Sequence, residues 1–369
     1  MRIVYGVHGY GRGHATRSLA LISRLAAQHR FLILAGGDAH NTIYPDFPVT
    51  QIPTLGFSYG QRSGKRCTFR TIRRNLAALL DARLRGPTFE MIESIMREFA
   101  PDVVISDAEV WTHRVAEYLR IPRISVDHFG ILAYCKPPVD RGDRFEAGLD
   151  ALVYRMLMGR PDRIVVSSFY DAPPRWPGVK VVPALVRPEL HSLQPVEGGH
   201  LLVYFNRSRW QLSKRILETL EQAPCPVRIY GDSERGRRGN LEFVSPSNLP
   251  FLEDLASCKG VISTAGNQLM GEAIYFGKPV LVMPEECVEQ RMNAAAVQRL
   301  GIGLRTTPQR FCRDELFTFL DRIDLYRERM RHHVRDGLED AIAAVEGFLH
   351  ELVPARASRR AGLAASAAT

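Results

Sequence analysis

The strongest constraint on this chain is a recurring local order: a short run rich in Val and Ile, a turn of small or acidic residues, then a helical stretch. IVYGV at 3–7 leads into GYGRGH at 9–14 and on into ATRSLALISRLAAQH. FLILAG at 31–36, PDVVISD at 101–107, IPRISVD at 121–127 and DRIVVSS at 162–168 have the same character, with helical patterns such as GPTFEMIESIMREFA at 86–100 between them. Apolar strands alternating with helices predict a mainly parallel sheet covered on both faces. The stretch 183–199, PALVRPELHSLQPVEGG, carries three prolines and no periodicity, and breaks the pattern. It restarts with HLLVYFN at 200–206, PVRIYG at 226–231, GVISTAG at 260–266 and PVLVMP at 279–284. The expectation is an α/β protein of two domains, 1–186 and 200–335, joined by a linker at 187–199 and followed by a helix at 336–352. The tail 353–369 is small, basic and poor in large apolar residues, which predicts disorder.

A chain of 369 residues is long enough for two cores, and an apolar share of 45% sets it among ordinary globular proteins. No apolar run reaches 18 residues, and Met1-Arg2 lead straight into a strand, so a cytoplasmic protein is expected. Six cysteines at 67, 135, 225, 258, 287 and 312 form no CxxC pair; they read as reduced, mostly buried thiols and not as a metal site.

The net charge of +9 is unevenly spread. Eight basic residues fall between 62 and 85 (Arg62, Lys65, Arg66, Arg70, Arg73, Arg74, Arg83 and Arg85), interrupted by Asp81 alone. Two readings stand for this segment: a solvated helical face, or a patch that rests on an anionic membrane or faces a charged acceptor. No nucleic-acid-binding motif accompanies it, which sets nucleic acid aside.

GYGRGH differs from a dinucleotide loop. Gly9, Gly11 and Gly13 are spaced GxGxG, and no acid ends the next strand. His14 is the sharper feature, with Arg17 and Ser18 one turn on along the same helix face. A helix N-terminus favours neutral imidazole, which can take a proton from an attacking hydroxyl, while Gly11 and Gly13 let a ligand approach the backbone. Asp107 and Asp127 end strands, at the sheet edge where ligands collect in open α/β folds. Either can orient an imidazole or act as the base, and either can cap a helix. Glu109 and His128, beside them, are candidate acceptor contacts.

The densest signal is STAGNQLMGEAIYFGKPVLVMPEECVEQRMNA at 263–293. Ser263, Thr264, Ala265 and Gly266 make a small-residue turn after a strand. The helix opening at Asn267 points free N–H groups at that turn, which suits a diphosphate. Glu272, further along, suits a ribose diol. Glu289 and Gln290 suit sugar hydroxyls.

These motifs together, GxGRGHxxR near the start and STAGNQLMGEAIYFGKP with EQRMNA later, resemble glycosyltransferases of the MurG and UDP-glycosyltransferase group over about residues 1–352. The resemblance implies the GT-B fold, two Rossmann-like domains facing across a cleft, with the last helix returning to the first domain. It implies a nucleotide-diphosphate sugar as donor substrate and no tightly bound cofactor. It places the diphosphate at Ser263–Gly266, the ribose on Glu272, the sugar on Glu289 and Gln290 with Asn293 in support, and the base on His14. Phe251 and Leu252 are then candidates to pack on the nucleobase. Asn206, Arg207 and Arg209 lie in the loop that approaches the phosphates. Two departures, Arg17 in place of proline and NRSRW in place of a Ser- or Gly-rich loop, point to a different acceptor. No DxD motif is present, so an inverting, metal-independent transfer from a UDP-sugar to a hydroxyl acceptor is the expectation; a lipid-linked or cell-envelope acceptor and a soluble metabolite both stand. A UDP-sugar 2-epimerase, hydrolysing or not, and a non-catalytic nucleotide-sugar-binding protein of the same architecture are the alternatives.

Overall fold

The computed structural model describes residues 1–56, 68–205, 211–231, 234–245 and 248–366. The first half opens with β1 (Arg2–Val7), α1 (Arg12–Leu25), β2 (Arg30–Ala35), α2 (Gly37–Ile43) and β3 (Val49–Gln51). It continues with α3 (Thr68–Leu84), α4 (Pro87–Phe99), β4 (Val103–Asp107), α5 (Val110–Tyr118), β5 (Arg123–Asp127) and α6 (Gly130–Tyr134). It closes with α7 (Arg144–Met158), β6 (Arg163–Ser167) and β7 (Val179–Val182). All seven strands pair in parallel, in the order β3-β2-β1-β4-β5-β6-β7.

The second sheet is built from β8 (Leu201–Tyr204), β9 (Val227–Tyr230), β10 (Gly236–Arg238), β11 (Leu241–Val244), β12 (Gly260–Ser263), β13 (Val280–Val282) and β14 (Gly303–Arg305). Its order is β10-β11-β9-β8-β12-β13-β14, and only the β10–β11 pair is antiparallel. The protein is thus α/β with two Rossmann-like domains. β3, β7, β10, β11 and β14 did not stand out in the sequence; the first four carry exposed residues, which break the apolar run of a strand buried on both faces.

In each sheet the strand order reverses beside the first strand. In the first, Val7 of β1 lies opposite Asp107 of β4. In the second, Tyr204 of β8 lies opposite Ser263 of β12. These two switch points open crevices at the carboxyl ends of the strands, which is where ligands bind in such sheets.

The 187–199 stretch is packed, not free. It contains a short 3-10 turn, Pro188–Ser192, whose Leu190 is fully buried in the second core. The final helix, Leu338–Ser366, places Leu338, Ala341, Val345 and Leu349 in the first core. The two chain crossings are tied together: Val186 N–H donates to Asp336 Oδ1 at 3.2 Å, and Gly337 N–H donates to the Ala184 carbonyl at 3.1 Å. The final helix runs on to Ser366. Five described cysteines are free, of which Cys135 and Cys258 are buried and three are half-buried, fewer than expected.

Candidate active site

A cleft of about 1220 Å³ lies between the two switch points. The first domain contributes the β1–α1 turn from His8 to His14, together with Phe129 and parts of α3 and α7. The second contributes Tyr204, Tyr230, Phe251, the 263–269 turn, Glu272, Glu289 and Gln290.

The β1–α1 turn owes its shape to Gly11, whose φ of +89° lies in the left-handed region that side chains avoid. Asp38 Oδ2 accepts the Gly11 N–H at 3.0 Å and pins the turn. α1 then starts, and its third residue, His14, faces the cleft. His14 Nδ1 lies 2.7 Å from Asp107 Oδ1. Asp107 is wholly buried and accepts three further bonds. Arg17 Nη2 donates to Oδ1 at 2.7 Å, Arg17 Nε to Oδ2 at 2.7 Å, and Ser18 Oγ to Oδ2 at 3.1 Å. Burial works to raise the Asp107 pKa, but the Arg17 guanidinium and His14 together hold its carboxyl well below the usual range. Arg17 Nη2 also lies 2.9 Å from His14 Nδ1; with a hydrogen on Nδ1 facing the ionised carboxylate, Nε2 is the basic atom. His8 sits 5.1 Å from His14, edge to face. Burial first, and His14 second, lower its pKa to about 3.

Several sequence expectations change here. Arg17, which departs from proline in the resemblance, lines the cleft at 3% exposure; its fork bonds Asp107, and its Nη2 lies against His14 Nδ1. Asp127 does not reach an imidazole. Its oxygens accept Gly130 N–H at 2.6 Å, Ser125 Oγ–H at 2.8 Å and Tyr154 O–H at 2.6 Å. Glu109 caps α5, accepting Trp111 N–H at 3.0 Å and Thr112 N–H at 2.7 Å. Burial raises its pKa to about 6 against the pull of those N–H bonds. His128 lies at the domain junction: its Nδ1 faces the Ser167 carbonyl at 2.8 Å, and its Nε2 faces Asn293 Oδ1 at 3.2 Å and Glu289 Oε1 at 3.4 Å. Strand ends and helix starts look alike in sequence whether the acid caps a backbone or serves a ligand, so only packing separates Asp107 from Asp127 and Glu109.

In the second domain, Ser263, Thr264, Gly266 and Asn267 line the cleft, while Ala265 is buried and its carbonyl accepts Asn293 Nδ2–H at 2.8 Å. The helix Asn267–Tyr275 starts at Gly266 with no side-chain cap, so its first N–H groups face the turn. The Asn267 side chain is used at the junction: Oδ1 accepts Phe169 N–H and Nδ2 donates to the Ser167 carbonyl, each at 3.2 Å. Glu272 is gripped by Arg187, Nε to Oε1 and Nη2 to Oε2, each at 2.7 Å, and Gln268 Nε2 adds a bond to Oε1 at 2.8 Å. Phe251 lies on the cleft in edge-to-face contact with Tyr204 and Tyr230, whereas Leu252 is fully buried in the second core and does not face it. Glu289 Oε1 accepts Asn293 Nδ2–H at 2.6 Å, and Gln290 Oε1 accepts Glu285 N–H at 2.9 Å. Asn206, Arg207 and Arg209 lie outside the described residues.

Arg187, Gln268 and His8 were not singled out in the sequence. His8 carried a signal, a second histidine in the same turn. Arg187 carried none, because its role depends on the linker folding back over the nucleotide half.

The two α/β domains thus place a histidine–carboxylate couple on one wall of the cleft and a helix N-terminus on the other. The family model described as "Glycosyl transferase family 1" matches residues 1–324, and the chain belongs to that family. An uncharacterized glycosyltransferase of Methanosarcina mazei is 25% identical over 330 residues, covering 82% of this chain and 85% of that protein. Among solved structures, Acinetobacter baumannii MurG is similar with a TM-score of 0.59 and 15% identity, covering 94% of this chain and 99% of that one. Phytolacca americana UGT2, solved with UDP-2fluoro-glucose and pterostilbene, has a TM-score of 0.63 and 18% identity, covering 95% and 99%. The fold is GT-B and the protein is a glycosyltransferase.

Proposed function

We propose that the chain is an inverting, metal-independent transferase that moves a sugar from a nucleoside diphosphate donor, a UDP-sugar, to a hydroxyl acceptor. The observation that carries this reading is His14, anchored through Nδ1 by buried Asp107 at 2.7 Å on the cleft wall that faces the 263–267 turn. The acceptor O–H gives its proton to His14 Nε2 as its oxygen bonds to the anomeric carbon. The bond from that carbon to the diphosphate breaks in the same displacement, with inversion. The N–H groups opening the Asn267–Tyr275 helix take up the charge on the departing diphosphate. Phe251 packs on the base, and Glu289 and Gln290 hold the sugar. Asp107 never takes the proton; it fixes the ring and stabilises the imidazolium.

The cleft also supports transfer over epimerisation. Its first-domain wall includes Leu79, Val153, Leu157 and Phe129, apolar surface that suits an acceptor beyond the donor sugar. The structure of Phytolacca americana UGT2 with UDP-2fluoro-glucose supports the uridine donor by analogy of fold.

The test is a thermal-shift screen of nucleotides and nucleotide sugars, followed by turnover with the donor it finds. A uridine diphosphate sugar is expected to raise the melting temperature most. No response to any nucleotide sinks the donor site, and turnover that persists in His14→Ala sinks the base.

A further inference from the structure

His128 follows β5 directly in the first domain, is 3% exposed, and has three oxygens converging on its ring. The Ser167 carbonyl lies 2.8 Å from Nδ1. Asn293 Oδ1 lies 3.2 Å and Glu289 Oε1 3.4 Å from Nε2, both carried by the second-domain helix Val288–Leu300. The Asn293 amide is oriented by its other neighbours. Its Nδ2 donates to the Ala265 carbonyl at 2.8 Å and to Glu289 Oε1 at 2.6 Å, so turning the amide over would set its oxygen against two acceptors. The Ser167 carbonyl also takes the Asn267 Nδ2–H, at 3.2 Å, from the second domain.

Both ring nitrogens therefore face acceptors. A neutral ring with its hydrogen on Nδ1 would turn the Nε2 lone pair toward an amide oxygen and a carboxylate. The other neutral tautomer would turn the Nδ1 lone pair toward the Ser167 carbonyl. Away from water, either arrangement sets oxygen against nitrogen with no hydrogen between them, which is unfavourable by more than one such bond contributes. With a hydrogen on each nitrogen, every contact becomes a donor–acceptor pair, and the cation meets the Glu289 carboxylate. Tyr170 stands edge to face with the ring at 6.3 Å and brings no competing charge. Burial first, and Glu289 second, push its phenol well above the ordinary range, so it stays neutral.

We propose that His128 is a positioning residue for transfer: held as the imidazolium, it clamps the first domain onto Glu289 and Asn293 and so sets Glu289 for the donor sugar. This rests on the reading of Glu289 as a sugar contact. The bonds from His128 and Asn293 both fall on Oε1, which leaves Oε2 for a hydroxyl in the cleft that Glu289 lines. His128 and Ser167 belong to the first domain, Asn267, Glu289 and Asn293 to the second. The sugar seat therefore takes its shape where the two domains meet, whereas the small-residue turn facing the diphosphate is built within the second domain.

Long-range proton–nitrogen correlation spectra of the isotope-labelled full chain at neutral pH read the ring hydrogens, with His128 assigned by its loss in His128→Gln. Both nitrogens should carry a hydrogen; a neutral tautomer overturns the inference. These spectra are taken on the wild type, which keeps the test open if a variant fails to fold. Binding then compares UDP with the UDP-sugar that stabilises the protein most. His128→Leu should raise the KM for the UDP-sugar by about tenfold and leave the affinity for UDP, which has no sugar, unchanged. His128→Gln returns one neutral donor and should recover part of the loss. An unchanged KM, or equal weakening of UDP and UDP-sugar as a purely structural role would give, overturns the inference. Glu289→Gln checks the sugar seat itself. If no UDP-sugar binds, or if this variant keeps the wild-type preference for UDP-sugar over UDP, the sugar site proposed above fails, and the ring spectra alone decide the clamp.

Discussion

Arg187 in the linker grips Glu272 in the second domain through both carboxylate oxygens, each at 2.7 Å, with the carboxylate 1% exposed. The acid expected to hold a ribose is thus part of a buried ion pair that fastens the linker to the nucleotide half. Removing one partner strands the other charge. Arg187→Met is expected to cost about 3–5 kcal/mol in urea unfolding, and the double variant Arg187→Met, Glu272→Gln to recover a large part of it. Losses of Arg187→Met and of Glu272→Gln alone that simply add in the double variant would show that the pair is not coupled.

Asp107 ties His14 and Arg17 into one buried cluster, so its loss acts on catalysis and on stability together. Asp107→Asn removes the charge that fixes the His14 hydrogen on Nδ1 and leaves Arg17 unpaired. Transfer should fall by roughly 10²–10⁴, and stability should fall by about 3–5 kcal/mol. His14→Ala should match the loss in rate with a much smaller loss of stability, since no buried charge is stranded. Single-turnover rates and denaturant melts on the same two proteins separate the effects.

Three groups set opposing slopes in stability against pH. Burial lowers His8 from 6.5 to about 3, so between those values the unfolded chain binds the extra proton, and stability is lost as pH falls from 6.5. Asp107, held below its ordinary 3.8, adds stability above that value that is lost as pH falls through its lower folded one. Glu109 works the other way: burial raises it from 4.5 to about 6, so the folded chain binds the proton first and stability falls as pH rises through that window. His8→Asn should flatten the loss below pH 6.5, and Glu109→Gln should remove the opposing slope between 4.5 and 6. Melting temperatures across pH for the three proteins check both signs.

Two glycines should part company. At Gly271 an added methyl would meet the Ala184 Cβ at 2.4 Å, so Gly271→Ala should cost about 1–3 kcal/mol through overpacking of the helix on the end of the first domain. At Gly13 the nearest atom would be Gln268 Cβ at 3.6 Å, an ordinary contact, so Gly13→Ala should leave the melting temperature close to wild type. Because Gly13 lines the cleft, the effect of that substitution should appear in the acceptor KM.

The alternation of apolar runs and helical stretches determined the fold class and the two-domain division. Parallel strands buried on both faces must be apolar throughout, and that character survives in a linear reading. The strands buried along their length, such as β1, β4, β5, β12 and β13, were legible for this reason, and β3, β7, β10 and β11, which carry exposed residues, were not. The turns at 9–14 and 263–267 were legible too, because small residues before a helix leave few other uses for the backbone. What the sequence left open was which polar groups are already satisfied. Asp107, Asp127 and Glu109 all end strands or begin helices, yet one holds an imidazole and the others bind local backbone and hydroxyl groups. Glu272 and His128 likewise found partners 85 and 165 residues away. A side chain's free valence depends on which distant groups packing brings to it, and that is decided only when the two sheets and the linker close on one another.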